Sequence, residues 1–244
     1  MIVHASLPPL GGVSGEAESV VGALLATCET VVMPAFTSRC TRSRPAGQTG
    51  GLLAAEPNPE GGSATNFFEP GMPVDAELGP VAEVFRLQPG AGRSMHPLLS
   101  FAGMNANDAL EAQTLDEPFG PVGWLCEYDG DVLLIGVDHT ANVSLHYAER
   151  LAGRHQFTRW AMTPEGAVEC PGFPGCSQGF QAISERLDGV ARRAPLGTGM
   201  MEAVPLRDLI NIAAGWIRED PRALLCDRPD CVSCSAVRAT VRRS

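Results

Sequence analysis

The segment Asp131–Gly153, DVLLIGVDHTANVSLHYAERLAG, limits the fold more than any other part of the chain. Val132, Leu133, Leu134, Ile135 and Val137 make the continuous apolar run expected of a strand buried on both faces. Gly136 and the polar residues Asp138, His139, Thr140 and Asn142 end that run, and a helix follows with His146 and Glu149 in its first turns. Open α/β sheets place their sites outside the carboxyl ends of strands. The segment therefore predicts a fold class and a site together. Two of the five histidines lie in it, and Glu149 follows His146 by three positions, which puts both on one helix face.

The chain opens with a second such pattern. Ile2–Ser6 reads as a strand, Pro8–Gly15 as a turn holding Gly11, Gly12 and Gly15, and Glu16–Cys28 as a helix with Val20, Val21, Leu24 and Leu25 at helical spacing. Thr30–Phe36 is the next strand, which completes a βαβ unit. The glycine turn offers backbone N–H groups to an anion at a helix start, although glycine there more often serves turn geometry. Residues 38–80 are rich in Gly, Pro, Ser and Asn, too long for a simple connection, and are expected to form a lid or substrate-facing excursion. Further on, Ala82–Arg86 and Trp124–Tyr128 read as short helices, and Arg93–Gly103 as a turn and strand. Gln156–Met162 and Ala167–Cys170 read as strands, and Phe180–Leu187 and Leu206–Glu219 as helices.

Composition removes several functions. All eighteen basic residues are Arg, so chemistry that needs a lysine, such as a pyridoxal Schiff base or a phosphate-loop Lys, is excluded. The net charge of −10 argues against nucleic acid as a partner. Residues 1–130 hold five Arg against fifteen acids, which suits a cationic ligand, with solubility as the competing reading. No apolar run is long enough to span a bilayer, and MIVHASLPPL lacks a basic region followed by an apolar one. A cytoplasmic protein with no membrane partner is expected.

Five segments, in order, resemble the aminoglycoside 3-N-acetyltransferase family, the antibiotic N-acetyltransferases unrelated to the GNAT fold. They are VHASL (3–7), VVMPAFT (31–37), RSMHPLLSFA (93–102), LDEPFGP (115–121) and LLIGVDHTANVSLHYAE (133–149). The resemblance implies a single α/β domain over residues 1–244, built on a mixed central β-sheet flanked by helices. It implies an N-acetyltransferase with acetyl-CoA as cosubstrate and a cationic aminocyclitol amine as acceptor; a homodimer is an expected state. By the same resemblance, the CoA arm runs along the end of the VHASL strand and the RSMHP segment. Ser6, Thr37, Arg93, Ser94 and Ser100 are then candidate donors, and His96 either lines that channel or closes a turn. Relative to the family, the chain starts inside the VHASL strand. It also has Gln113 and Thr114 where His often precedes LD, and Gly123-Trp124 where Ser-Pro often follows FGP. These departures bear on acceptor specificity. The alternatives are an acyltransferase for another amine in natural-product biosynthesis and a CoA-binding member without catalysis.

Acetyl transfer to an amine requires a base for the ammonium proton, which suits histidine, and a carboxylate beside it fixes the tautomer. His146 is assigned as that base and Glu149 as its orienting partner. The resemblance favours His146 over His139, whose expected role is turn geometry. Glu149 has an alternative partner in Arg150 or Arg154.

The C-terminal third carries a separate pattern, Cys170 and Cys176 in ECPGFPGCSQ, and Cys226, Cys231 and Cys234 in LLCDRPDCVSC. This cysteine-rich segment (170–234) is expected to hold a structural zinc, with Cys170 or Cys176 completing a Cys₄ set. Disulfides, free thiols and an iron–sulfur cluster are the alternatives. Cys28, Cys40 and Cys126 read as ordinary thiols.

Overall fold

The computed structural model describes residues 1–8, 11, 16–43 and 66–241. Gly12, Gly15 and most of the 38–80 excursion lie outside the described residues. In chain order the elements begin with β1 (Ile2–Ala5), α1 (Glu16–Thr27), β2 (Val31–Pro34), β3 (Thr41–Arg42), α2 (Gly79–Arg86), β4 (Gly92–Arg93) and β5 (Phe101–Met104). Next come α3 (Asn107–Glu111), α4 (Gly120–Glu127), β6 (Asp131–Ile135), α5 (Ser144–Leu151), β7 (Phe157–Thr163) and β8 (Gly166–Phe173). The chain closes with β9 (Arg192–Leu196), β10 (Gly199–Pro205), α6 (Leu206–Glu219) and α7 (Val232–Val241). Single 3₁₀ turns occupy Ser38–Cys40, Ala76–Leu78 and His139–Ala141, and a longer 3₁₀ segment runs over Phe180–Arg186.

The central sheet has the order β4-β5-β2-β1-β6-β10-β9. β1 lies between β2 and β6 and is parallel to both, with Ile2 opposite Val32 and Val132. The outer strands are antiparallel, so the sheet is mixed, as expected. Period-2 alternation builds the two faces. Val3, Val31, Met33, Leu133 and Ile135 face the layer of α1 and α2. Ile2, Val32, Val132 and Leu134 face the layer that includes α4, α5 and α6. Helix α1 buries Ala17, Val21 and Leu24 at i, i+4, i+7, and α6 buries Leu206, Leu209, Ile210, Ala213, Ala214 and Ile217 on one stripe.

A small second sheet, β3-β7-β8, flanks this core. Arg42 pairs with Trp160, so the start of the 38–80 segment is fastened into a sheet. The hairpin β9–β10 and helix α7 add to the elements expected from the sequence. Gly136 ends β6 at φ +64, a conformation open to glycine at little cost, and turns the chain sharply toward the histidine segment.

Leu134 is 1% exposed at the centre of the sheet. Leu134→Ala is expected to destabilise the protein by about 2–5 kcal/mol, read as a lower urea midpoint with an unchanged slope.

Candidate active site

Two chains of hydrogen bonds flank the start of α5, the first buried and the second running out to the surface. In the first, His146 Nδ1 lies 2.7 Å from Glu149 Oε2, and Arg154 Nη1 donates to Glu149 Oε1 at 2.7 Å. The i, i+3 spacing on α5 makes the first contact, and Gly153 at φ +77 turns the chain so that Arg154 comes back onto the same carboxylate. His146, Glu149 and Arg154 are 6%, 3% and 8% exposed. Arg154 Nη2 also donates to the carbonyls of Pro221 (3.1 Å) and Ala223 (2.6 Å). Phe119 and Phe180 pack against the imidazole at centroid distances of 5.8 and 4.7 Å. With Nδ1–H facing a carboxylate, Nε2 is left with the lone pair, and it bonds to no described residue.

In the second chain, Asn142 Oδ1 accepts from the Ser144 N–H (3.1 Å), which fixes the amide so that its Nδ2 donates to His139 Nδ1 (3.2 Å). His139 is then protonated on Nε2, which donates to Glu202 Oε1 at 3.1 Å. Arg193 Nε holds the other oxygen of Glu202 at 3.0 Å. Burial acts to raise the Glu202 carboxyl, but the bonds from His139 and Arg193 outweigh it, and the group sits below the usual carboxylate range.

Near His139 of the second chain, a cleft of about 170 Å³ opens where parallel strands end, lined by His4, Ala5, Ser6, Pro34, Gly79, Val137 and Ala141 among others. His4 Nε2 is buried and has no hydrogen-bond partner among the described residues. Burial, with His139 nearby, holds its pKa down to about 3.

A sequence model of the family described as aminoglycoside 3-N-acetyltransferase matches residues 2–218. The chain belongs to this family. Aminoglycoside N(3)-acetyltransferase IV of Salmonella sp is 29% identical over 175 residues, a match covering 65% of this chain. That match spans 65% of the Salmonella enzyme, just under two thirds of its length. Among solved structures, the apoenzyme of aminoglycoside acetyltransferase AAC(3)-IVa is similar at a TM-score of 0.79 and 26% identity, covering 98% of this chain and 89% of that one. A His-to-Ala mutant of AAC(3)-IVa in complex with a gentamicin is similar at a TM-score of 0.76 and 25% identity, with the same coverage. AAC-IIIb, solved in a binary complex with CoASH, shares the fold at a TM-score of 0.71 and 21% identity, with 89% of both chains covered.

The structure brings together His146 and Glu149, and among the expected CoA donors it joins Arg93 and Ser100 to each other and to the Ala35 carbonyl. Thr37 Oγ1 donates to the Pro97 carbonyl (2.8 Å), Ser94 Oγ accepts from the Phe101 N–H (2.7 Å), and Ser100 Oγ donates to the Ala35 carbonyl (2.8 Å). Arg93 donates to Ser100 Oγ (3.1 Å) and to the carbonyls of Pro70, Met72 and Ala35. These four side chains stitch loops to the sheet edge. His96 closes a turn, its Nδ1 accepting from Leu98 and Leu99 N–H groups at 3.2 and 3.0 Å. Of the six candidates only Ser6 lines the cleft. Sequence reasoning missed Glu202 and Arg193, and placed Asn142 in the turn without its bond to His139. The residues Gly197-Thr198 between two strand-like runs were a usable hairpin signal for the first two.

Among the cysteines, Cys176, Cys226, Cys231 and Cys234 converge, their sulfurs all within 4.8 Å of one another. Cys170 does not join them. It is fully buried in the main core on β8, where burial, with Glu169 nearby, pushes its thiol up to about 12. Of the two candidates for the fourth position, the structure brings in Cys176.

The two histidines are expected to hold opposite tautomers, Nδ1–H at His146 and Nε2–H at His139, which ¹⁵N NMR reads directly. A shared tautomer overturns the two hydrogen-bond chains. Acid sensitivity follows from the other two buried histidines. Burial lowers the pKa of His96 to about 4, and that of His4 to about 3, from 6.5. The unfolded chain therefore binds more protons than the native one below pH 6.5. Stability is full above that value and falls with pH, by roughly 1.4 kcal/mol per pH unit per histidine until each native pKa is reached. Urea midpoints compared at pH 7 and pH 5 check this, and equal midpoints contradict it.

Proposed function

We propose that this chain is an acetyl-CoA-dependent N-acetyltransferase that acetylates an amine of an aminoglycoside or a similar cationic aminocyclitol, with His146 as general base. The observation that carries the proposal is the 2.7 Å bond between His146 Nδ1 and Glu149 Oε2, which presents Nε2 as the proton acceptor. The acceptor nitrogen must lose a proton as it attacks the thioester carbonyl. His146 Nε2 takes that proton, the C–N bond forms, the C–S bond breaks, and CoA leaves as thiolate. Glu149 stabilises the imidazolium that results, as acids do in other His–acid pairs. The proton then passes from imidazolium to the thiolate or to water, which restores the base.

The cosubstrate is supported by AAC-IIIb, solved with CoASH, and the acceptor class by AAC(3)-IVa, solved with a gentamicin. The cleft at the carboxyl ends of β1 and β2 is walled mostly by apolar groups, with Ser6 among its lining, which suits a largely apolar arm such as pantetheine. The net charge of −10 favours a cationic acceptor over an anionic one. We place the reaction in the cytoplasm, where acetyl-CoA is made available. Among the described residues no helix is long and apolar enough to cross a membrane.

The test is thiol release from acetyl-CoA with a panel of aminoglycosides and simpler amines. His146→Ala is expected to lower kcat by about 10²–10⁴-fold while acceptor binding by calorimetry persists. Glu149→Gln should also lower kcat, because the Gln amide can present N–H to Nδ1 and move the imidazole proton onto Nε2. Wild type that binds CoA and acceptor yet turns neither over sinks the catalytic reading. Turnover only with non-aminocyclitol amines redirects it to another acceptor class.

A further inference from the structure

We infer that Cys176, Cys226, Cys231 and Cys234 bind one structural zinc ion, and that this ion fixes the loop whose carbonyls hold Arg154 against Glu149. The first half stands on the cysteine geometry alone. The second rests on the hydrogen bonds of Arg154, and its consequence for turnover rests on the acetyltransferase reading.

The four thiols come from two distant stretches. Cys176 lies in the turn after β8, Cys226 and Cys231 in the connection from α6 to α7, and Cys234 in the first turn of α7. Cys226, Cys231 and Cys234 are 4%, 6% and 1% exposed. All eight cysteines of the chain are free thiols, so nothing covalent accounts for the convergence. A single tetrahedral ion with Zn–S bonds near 2.3 Å separates its sulfurs by about 3.8 Å, within the observed 4.8 Å limit. A four-iron cubane places metal atoms between the thiolates and needs them farther apart. Soft thiolates in a closed tetrahedral set select zinc over hard cations such as calcium or magnesium. The ligands are also supported as metal-bound sulfurs usually are, by hydrogen bonds from the protein. The Gln178 N–H donates to Cys176 Sγ at 3.4 Å; separately, Arg238 on α7 bonds the backbone carbonyl of Cys226 and so ties two ligand-bearing segments, α7 and the loop before it, together.

The site is joined to the histidine dyad by a short path. Arg154 donates to the carbonyls of Pro221 and Ala223, the latter three residues before Cys226. Leu224, between them, takes φ +62, a conformation that costs a non-glycine residue free energy and so needs its surroundings to hold it. Gly179, three residues after Cys176, packs so closely on Leu224 and Leu225 that a Cβ there would lie 2.5 Å from the Leu224 carbonyl oxygen. A narrow crevice lined by Glu149, Arg154, Cys176, Leu225 and Cys234 shows the two groups to be neighbours. Tying Cys226 to Cys176 through one ion clamps this loop, and with it the carbonyls that aim Arg154. Arg154 is thus a positioning residue for Glu149, and the ion acts one step farther out.

The full chain, purified without chelator, is expected to contain about one zinc per chain by elemental analysis. Titration with an organomercurial should release it in step with four thiols. Co²⁺ in its place should show the thiolate-to-metal charge-transfer band and d–d absorption of a tetrahedral thiolate site. Cys231→Ser should lose most of the metal and Cys28→Ser none. Because Cys231→Ser can fail to fold, the wild-type titration carries the stoichiometry by itself. Coupling is read apart from activity: on zinc removal the ¹⁵N signals of His146 should leave the pure Nδ1–H pattern while those of His139 stay. A metal-free or iron-containing protein, or thiols found paired as disulfides, overturns the zinc site. A zinc-loaded protein whose His146 signals are indifferent to metal removal overturns the clamp. Either result leaves the acetyltransferase assay free to succeed or fail independently.

Discussion

A carboxylate removed from water is costly unless both oxygens are hydrogen-bonded and its charge is matched. Glu149, only 3% exposed, meets both conditions through Arg154 on one oxygen and His146 on the other. Arg154 supplies the countercharge, so the group is electrically complete without a proton on Nε2. That allows the imidazole to take up a proton during a reaction and release it afterwards, with Glu149 in place to share the added charge. The arrangement depends on Arg more than on any cation in general. One planar guanidinium reaches the carboxylate and two carbonyls at once, a pattern that a point-charge ammonium on a flexible stem does not reproduce.

The sheet explains why this group sits where it does. β1 is parallel to β6 on one side and β2 on the other, so three carboxyl ends emerge on one edge. Connections leave that edge in different directions, which is how α/β sheets open a crevice. The chain leaves β6 through Gly136, caps the next 3₁₀ turn with Asp138, and starts α5 on the Asn142 side chain. Asn142 does two things at once, satisfying the Ser144 N–H and fixing the tautomer of His139. Each histidine of the segment is thereby tied to its own carboxylate and each carboxylate to its own arginine. The pairing through Glu202 also fastens β10 to the turn that leads into α5.

Local pattern made much of this legible. The βαβ start, the buried β6, and α6 with the predicted bounds Leu206–Glu219 follow from periodicity. The His146–Glu149 contact follows from i, i+3 spacing on a short helix. What failed was whatever depends on partners far along the chain. Glu202 meets His139 across 63 residues, and no local spacing encodes that pair. The hydroxyls of Thr37, Ser94 and Ser100 each bond a backbone group, two carbonyls and the Phe101 N–H, that the sequence alone does not place beside them. Cys170 and Cys176 looked equivalent. A regular strand carries the first into the apolar core, and the Pro-Gly turn after it carries the second out to the cluster.

The absence of lysine takes on a different meaning once the contacts are seen. As composition it excludes chemistries; in the fold it makes every side-chain cation a fork. Arg93 gathers Ser100 and three carbonyls that belong to two different loops. Arg193 joins Glu202 to Asp188 and the Ser184 carbonyl, and so holds the hairpin to the 3₁₀ segment that carries Phe180. Phe180 in turn packs on His146. Multidentate cations thus do at the loop junctions what apolar packing does inside the sheet layers. Loops expose backbone carbonyls that strands would have paired, and guanidinium groups satisfy several of them while crossing from one segment to another. The position of the imidazole is therefore set from two sides, by Arg154 through Glu149 and by Arg193 through the segment beneath Phe180.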